Sequence, residues 1–211
     1  MELKDRIIQE ASTLFFRNGI KSITMSDIAM HLGISKRTLY EVFKDKEELL
    51  RACIDCHAVC AVKEREEIVS KAENVIDTMM LIYAKHLNDA HSINKSLWHD
   101  LKKYHPQIYQ QISQKQGDAM NDLLPLFRKG IEQELIRTDI DYEICLWLIK
   151  SQFKTLLEGD LAIDEKYSIN QFVRAIILNF TRGIATTKGN ELIDNTIKRF
   201  RESEQNNNVQ L

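Results

Sequence analysis

The stretch GISKRTLYEVFKDK, Gly33 to Lys46, gathers Lys36, Arg37, Lys44 and Lys46 around Tyr40. The whole chain carries a formal net charge of -2, so this cationic cluster is local and suits contact with an anion. A second cluster, CIDCHAVC, sets Cys53, Cys56, His57 and Cys60 at i, i+3, i+4 and i+7, which is one face of a helix. Thiols and an imidazole there suit a soft metal such as Zn or Cu(I), or a redox switch. One straight helix seldom wraps a tetrahedral ion, however, and small thiols also pack well against neighbouring helices. The pattern C-x-x-C-H also matches c-type haem attachment, which belongs to exported proteins. A third collection lies between residues 79 and 127: Met79, Met80, Tyr83, Trp98, Tyr104, Tyr109, Met120 and Phe127, with His86, His91, His99 and His105 nearby. Such residues line apolar ligand pockets between helices, or they fill a core. The chain has no nucleophile–base–acid set, no phosphate-binding glycine loop and no HExxH, so neither an enzyme nor a cofactor is expected.

These residues need elements to position them. Among 211 residues only 2 are Pro and 7 are Gly, too few for the turns of an all-β chain. An all-α fold is expected. No stretch is long and apolar enough to span a bilayer, and MELKDRIIQEASTLF does not resemble a signal peptide. The expected location is therefore cytoplasmic, with reduced cysteines.

Ile7, Ile8, Ala11, Leu14 and Phe15 recur at helical spacing, and Gly19 follows as a C-cap. Thr24 and Asp27 form a capping-box pair ahead of Ile28, Ala29 and Leu32, and Gly33 closes that helix. Ser35 caps the next, with Leu39, Val42 and Phe43 facing inward. Asp45 and Glu48 open a long fourth helix. Two short helices joined at Gly33 form a helix-turn-helix. Further helices are expected over 73–91, in a short piece ended by Pro106, and in a long one from Pro106 to Ile136 bent at Gly117 and Pro125. Two more follow at 141–158 and 169–186, then a last helix that frays after about Ser203. The expected division is 1–50 for the helix-turn-helix domain, 51–205 for a helical ligand-binding and dimerisation domain, and 206–211 for a flexible tail.

In a DNA-binding helix-turn-helix the second helix enters the major groove with its N-terminal residues at the base edges. Here those residues are Ser35, Lys36, Arg37 and Thr38. Lys and Arg donate to guanine O6 and N7. Tyr40 falls near the phosphate backbone, and Lys46 is placed to clamp a phosphate. The alternative is a solvated cationic face.

The set Thr24, Asp27-Ile28-Ala29, Leu32-Gly33-Ile34-Ser35, Thr38-Leu39-Tyr40 and Phe43-x-x-Lys46-x-x-Leu49 resembles the DNA-binding segment of the TetR-type (TetR/AcrR) regulators. The upstream Ala11, Leu14, Phe15 and Gly19 fit as well. The resemblance covers roughly residues 7 to 50. It implies a dimeric repressor that binds double-stranded DNA at a palindromic operator and leaves when a small molecule binds. By position it adds Thr24, Met25 and Ser26 to the DNA contacts, Met25 through its backbone amide or an apolar contact. Glu41 is expected to face solvent.

Ile144, Leu148, Phe153 and Leu156 form one apolar stripe, and Phe172, Val173, Ile176, Ile177 and Phe180 another. Both helices are apolar on more than one side, which suits a core shared with a second subunit. For the ligand, Met79, Tyr83, Trp98, Tyr104, Tyr109, Met120 and Phe127 are the candidates, and they suit an amphipathic or aromatic effector. The competing readings are a metal- or redox-responsive regulator using Cys53, Cys56, His57 and Cys60, and a helical sequestering protein that does not bind DNA.

Overall fold

The structure is a computed structural model describing residues 2–90, 96–121, 123–158 and 167–208. Side chains are given for all of these except 86–90, 115–121, 157, 158, 201 and 203–208. The described residues form α1 (Leu3–Asn18), α2 (Met25–Leu32), α3 (Lys36–Val42), α4 (Lys46–Lys71), α5 (Val75–Ala90) and α6 (Ser96–Tyr104). They continue as α7 (Pro106–Asn121), α8 (Leu124–Glu132), α9 (Tyr142–Glu158), α10 (Ile169–Ile184) and α11 (Thr187–Asn208). The all-α expectation holds. No helix among the described residues is long and apolar enough to cross a membrane.

Two boundaries differ from the sequence reading. The stretch from Pro106 is two helices, not one bent helix: the break precedes Pro125, whereas Gly117 lies within α7. Proline belongs in the first turn of a helix, because its missing N–H has no partner there in any case. At the other end, α11 carries helical backbone to Asn208, beyond Ser203.

The chain divides into two compact units. One contains α1 to α3, α4 as far as Glu66, α6, and α7 as far as Lys115. The other contains the rest of α4 and α7, α5, α8, α10, α11, and α9 as far as Leu156.

The first unit has one apolar core. Ile7, Ala11 and Phe15 of α1, four residues apart, meet Ile28, Ala29 and Leu32 of α2, Leu39 of α3, and Phe43. Leu49, Leu50 and Cys53 of α4 close it from one side, and Leu97, Leu101 and Ile108 of α6 and α7 add to it. Phe15, Leu39, Leu49 and Leu50 are fully buried, and each such side chain contributes roughly 1.5–3 kcal/mol relative to exposure.

The second unit is built around α5, which packs against α8, α10 and α11. Val75, Ile76, Met80 and Tyr83 meet Phe127, Leu146, Leu156, Val173, Ile177, Ile184 and Ile193. An antiparallel bridge between Ile136 and Ala185 ties the segment after α8 to the end of α10. In it the Arg137 amide donates to Ile184 and the Thr186 amide to Leu135.

Candidate nucleic-acid interface

Local chemistry sets the helix-turn-helix. Thr24 precedes α2 with an extended backbone; its hydroxyl accepts from the Asp27 amide, and Asp27 accepts in return from the Thr24 amide at 2.8 Å. The Thr24 hydroxyl and amide hold the Asp27 carboxyl below the usual carboxylate range, and Lys36 and Lys46 add to this. Gly33 ends α2 at φ 68° and ψ 29°, left-handed backbone that glycine adopts without penalty. Its amide returns to Ala29 and Met30, and the Ile34 amide to Ala29, satisfying the last carbonyls of α2. Two residues later Ser35 caps α3, its Oγ accepting from the Thr38 amide at 3.0 Å and lying 2.8 Å from the Thr38 hydroxyl.

The turn presents a polar, cationic face. Ser35, Lys36 and Arg37 are exposed, Thr38 is half-buried, and Tyr40 is 51% exposed. On α2, Thr24 is exposed and Ser26 half-buried, while the Met25 side chain is buried in the core. Of the two contributions expected from Met25, the apolar contact is therefore closed off and the backbone amide remains. Leu39 faces inward opposite Tyr40, so burial of the apolar side orients the cationic side outward.

Three side chains do something the sequence did not disclose. Lys46 is turned inward: its ammonium donates to the Ile20 carbonyl at 2.5 Å and stands 5.8 Å from the Phe15 ring centre. Desolvation pulls its pKa below the ordinary lysine value, with Asp100 and Asp27 acting against that shift. Glu41 is 58% exposed at the side chain, as expected for a solvent-facing residue, but it also accepts from Arg37 Nε at 2.9 Å. Arg6 on α1 donates to the Leu32 carbonyl at 3.1 Å, joining α1 to the end of α2.

Helices α6 and α7 support this assembly from behind. Asp100, 6% exposed, accepts from the Lys21 amide at 2.8 Å, across 79 residues of chain. Gly19 ends α1 at φ 83°, and a Cβ there would stand 2.5 Å from Ser96 Oγ and 3.3 Å from Asp100 Oδ2. Only glycine lets the loop approach α6 so closely. Arg51 of α4 donates to Glu47 at 2.8 Å and to Gln111 of α7 at 3.0 Å. No local signal in the sequence pairs Lys21 with Asp100.

The cysteine cluster separates. Cys53 is buried, its thiol donating to the Ile8 carbonyl at 3.5 Å, and burial pushes its pKa up to about 11. Cys56 and Cys60 are exposed, and the His57 ring stacks edge-on against Phe16 at 5.1 Å. Cys53 is thus set apart in the core, while the Cys56 and Cys60 thiols stay at the surface within reach of each other. Among the described residues no three His, Cys, Asp or Glu side chains come together to hold a metal ion.

The candidate ligand residues divide between the units. Trp98 and Tyr109 pack on the first core, and Tyr104 is exposed there with Lys21 and Lys103 over its ring. Met79, Tyr83 and Phe127 belong to the second core. The side chains of Met120 and His86, and all of His91, lie outside the described residues. In the second unit a surface recess of about 380 Å³ is lined by Leu124, Phe127, Arg128, Ile140, Asp141, Tyr142 and Glu143.

The candidate dimer residues also separate. Leu156, Val173 and Ile177 are buried within the unit's own core, and Phe153, Phe172, Ile176 and Phe180 pack partly against it. Ile144 and Leu148 are 56% and 48% exposed, and Trp147 between them is 66% exposed.

Comparison with known proteins agrees with the geometry. Residues 7–53 match the family of bacterial regulatory proteins, tetR family. An uncharacterized HTH-type transcriptional regulator of Bacillus subtilis, YvaF, is 23% identical over 181 residues, covering 85% of this chain and 94% of that protein. The fatty acid metabolism regulator protein of Bacillus subtilis is 21% identical over 182 residues, at 85% and 94% coverage. A putative transcriptional regulator from Saccharomonospora viridis, solved in complex with choline, shares the fold with a TM-score of 0.70 at 17% identity, covering 87% of this chain and 97% of that one. With its capped helix-turn-helix and outward cationic face, the segment 7–53 is that of the tetR family of bacterial regulatory proteins, and these likenesses support a TetR-type DNA-binding transcriptional regulator.

Proposed function

We propose that this regulator is a cytoplasmic homodimer that represses transcription from a palindromic operator and leaves it when a small molecule binds. The supporting observation is the exposed face of Ser35, Lys36, Arg37 and Tyr40 on a helix whose other side is buried. Arg37 reads base edges, Lys36 and Tyr40 meet phosphates, and Thr24, Met25 through its amide, Ser26 and Thr38 position the helix-turn-helix on the backbone. Lys46 spends one of its three donors on Ile20, and the other two are available to a phosphate.

The dimer surface we propose centres on Ile144, Trp147 and Leu148, which share one face of α9 at i, i+3 and i+4. An apolar stripe on a described, exposed helix face suits an isologous contact, in which the same patch meets its copy. The effector is an amphipathic or aromatic molecule taken up by the second unit, where Met79, Tyr83 and Phe127 lie. A fatty-acid derivative is the first class to screen, given the name of the Bacillus subtilis relative.

The test is a gel shift of the purified protein with DNA flanking its own gene, at fixed salt, against unrelated competitor DNA of equal length. A discrete, competitor-resistant shift that a small molecule abolishes is the expected result. Binding no stronger than to unrelated DNA, both there and across genome-wide selected fragments, would refute the proposal.

A further inference from the structure

Glu41 is an acid on the helix that faces DNA, where phosphates would repel it. Its position gives it a partner. Arg37 Nε donates to Glu41 Oε1 at 2.9 Å, one helical turn away, with the two side chains 89% and 58% exposed. We propose that Glu41 is a positioning residue for base readout: it holds the Arg37 guanidinium by Nε so that the terminal nitrogens meet a guanine in each half-site. The proposal rests on α3 being the recognition helix and adds its specificity.

The argument is one of donor use and charge. Guanidinium carries five N–H donors in a rigid fork. A carboxylate on Nε occupies the inner part of that fork. The outer nitrogens remain for guanine O6 and N7, the bidentate pairing that discriminates best in the major groove. An unpaired arginine on so exposed a site would sample many rotamers, and ordering them would weaken the contact. The same carboxylate offsets the charge that would draw Arg37 to any phosphate, so it favours base contact over backbone contact. Lys36, its neighbour, has no such carboxylate bonded to it among the described residues. The two adjacent cations thereby take different roles, Lys36 on the backbone and Arg37 on a base.

The experiment measures binding of the full-length protein to its selected operator and to a panel in which each base pair is replaced in turn, at fixed salt. Wild type, Glu41→Gln, Arg37→Ala and the double variant are compared, with circular dichroism confirming that each is folded. In wild type, one G·C pair per half-site is expected to discriminate by roughly fivefold to a hundredfold. Arg37→Ala should abolish discrimination at that pair. Glu41→Gln should reduce it there and at no other position, while raising affinity for unrelated DNA because a negative charge is gone. The double variant should match Arg37→Ala alone. A merely structural helix pair would leave the base profile unchanged. Full discrimination by Glu41→Gln at the Arg37 pair, or a loss spread evenly over all positions, would overturn the role of Glu41. An Arg37→Ala variant with the wild-type profile would overturn the recognition-helix reading itself, and the two failures are distinguishable.

Discussion

Replacing Asp100 with alanine tests whether α6 is a working part of the DNA-binding unit. The Asp100 carboxylate is 6% exposed and accepts the Lys21 amide at 2.8 Å in the loop between α1 and α2. A hydrogen bond to a charged group contributes about 1.5–3 kcal/mol. Alanine also removes the anion that acts favourably on the partly buried Lys46 ammonium and on His105. A loss of about 2 kcal/mol is expected for Asp100→Ala, and about half that for Asp100→Asn, which keeps an acceptor. For a domain of this size that corresponds to a fall of roughly 10 °C in Tm for the alanine variant. The chain has 2 tryptophans, Trp98 in the first unit and Trp147 in the second. In a Trp147→Phe background, Trp98 fluorescence therefore follows the first unit alone. Operator affinity should fall along with the Trp98 midpoint, because the loop that Asp100 holds leads into α2. A midpoint within about 2 °C of the parent would refute the reasoning.

Three further outcomes follow from the same structure. Burial lowers the His105 pKa below its usual value, and its Nδ1 is buried without a partner among the described residues. The unfolded chain then binds more protons around that range, so the stability contribution is present above pH 6.5 and is lost as the pH falls through the folded value; His105→Gln should flatten the acid side of the Trp98 stability profile. Thiol alkylation of the native protein should modify Cys56 and Cys60 first and Cys53 only on unfolding, since Cys53 is buried and its pKa is pushed up to about 11; mass spectrometry of quenched samples reads the order, and early Cys53 labelling would contradict the packing. Lys36→Ala should weaken binding to all DNA sequences alike and lower the slope of log affinity against log salt by about 0.9 for each phosphate that is no longer neutralised; an unchanged slope would remove Lys36 from the backbone contacts.

Much of the DNA-binding element was legible in the sequence because its signals are local. Thr24 with Asp27, Ser35 with Thr38, and Asp45 with Glu48 act within one turn of helix, and each pair bonds in the structure. The reply from Glu48 goes to the Lys44 amide, one residue earlier than a capping box would place it. The apolar spacing of Ile7, Ala11 and Phe15 likewise predicted the buried face of α1. The orientation of Glu41 was less accessible: its spacing from Arg37 allows an ion pair, but on an exposed helix that spacing is equally compatible with two solvated side chains.

The sequence by itself determined the helices, their caps, the turn at Gly33 and the resemblance that names the family, because each depends on residues within a few positions of one another. Tertiary structure alone decided which helices share a core. It set α6 and α7 beside α1 and α4, turned Lys46 onto Ile20, and buried Cys53 while leaving Cys56 and Cys60 exposed. It divided the aromatic residues between two cores and left Ile144, Trp147 and Leu148 exposed while covering Leu156, Val173 and Ile177. An apolar residue at helical spacing specifies that it will be buried, but not against what. That partner is chosen by packing between segments far apart in the chain, as the bond from Asp100 to the Lys21 amide illustrates.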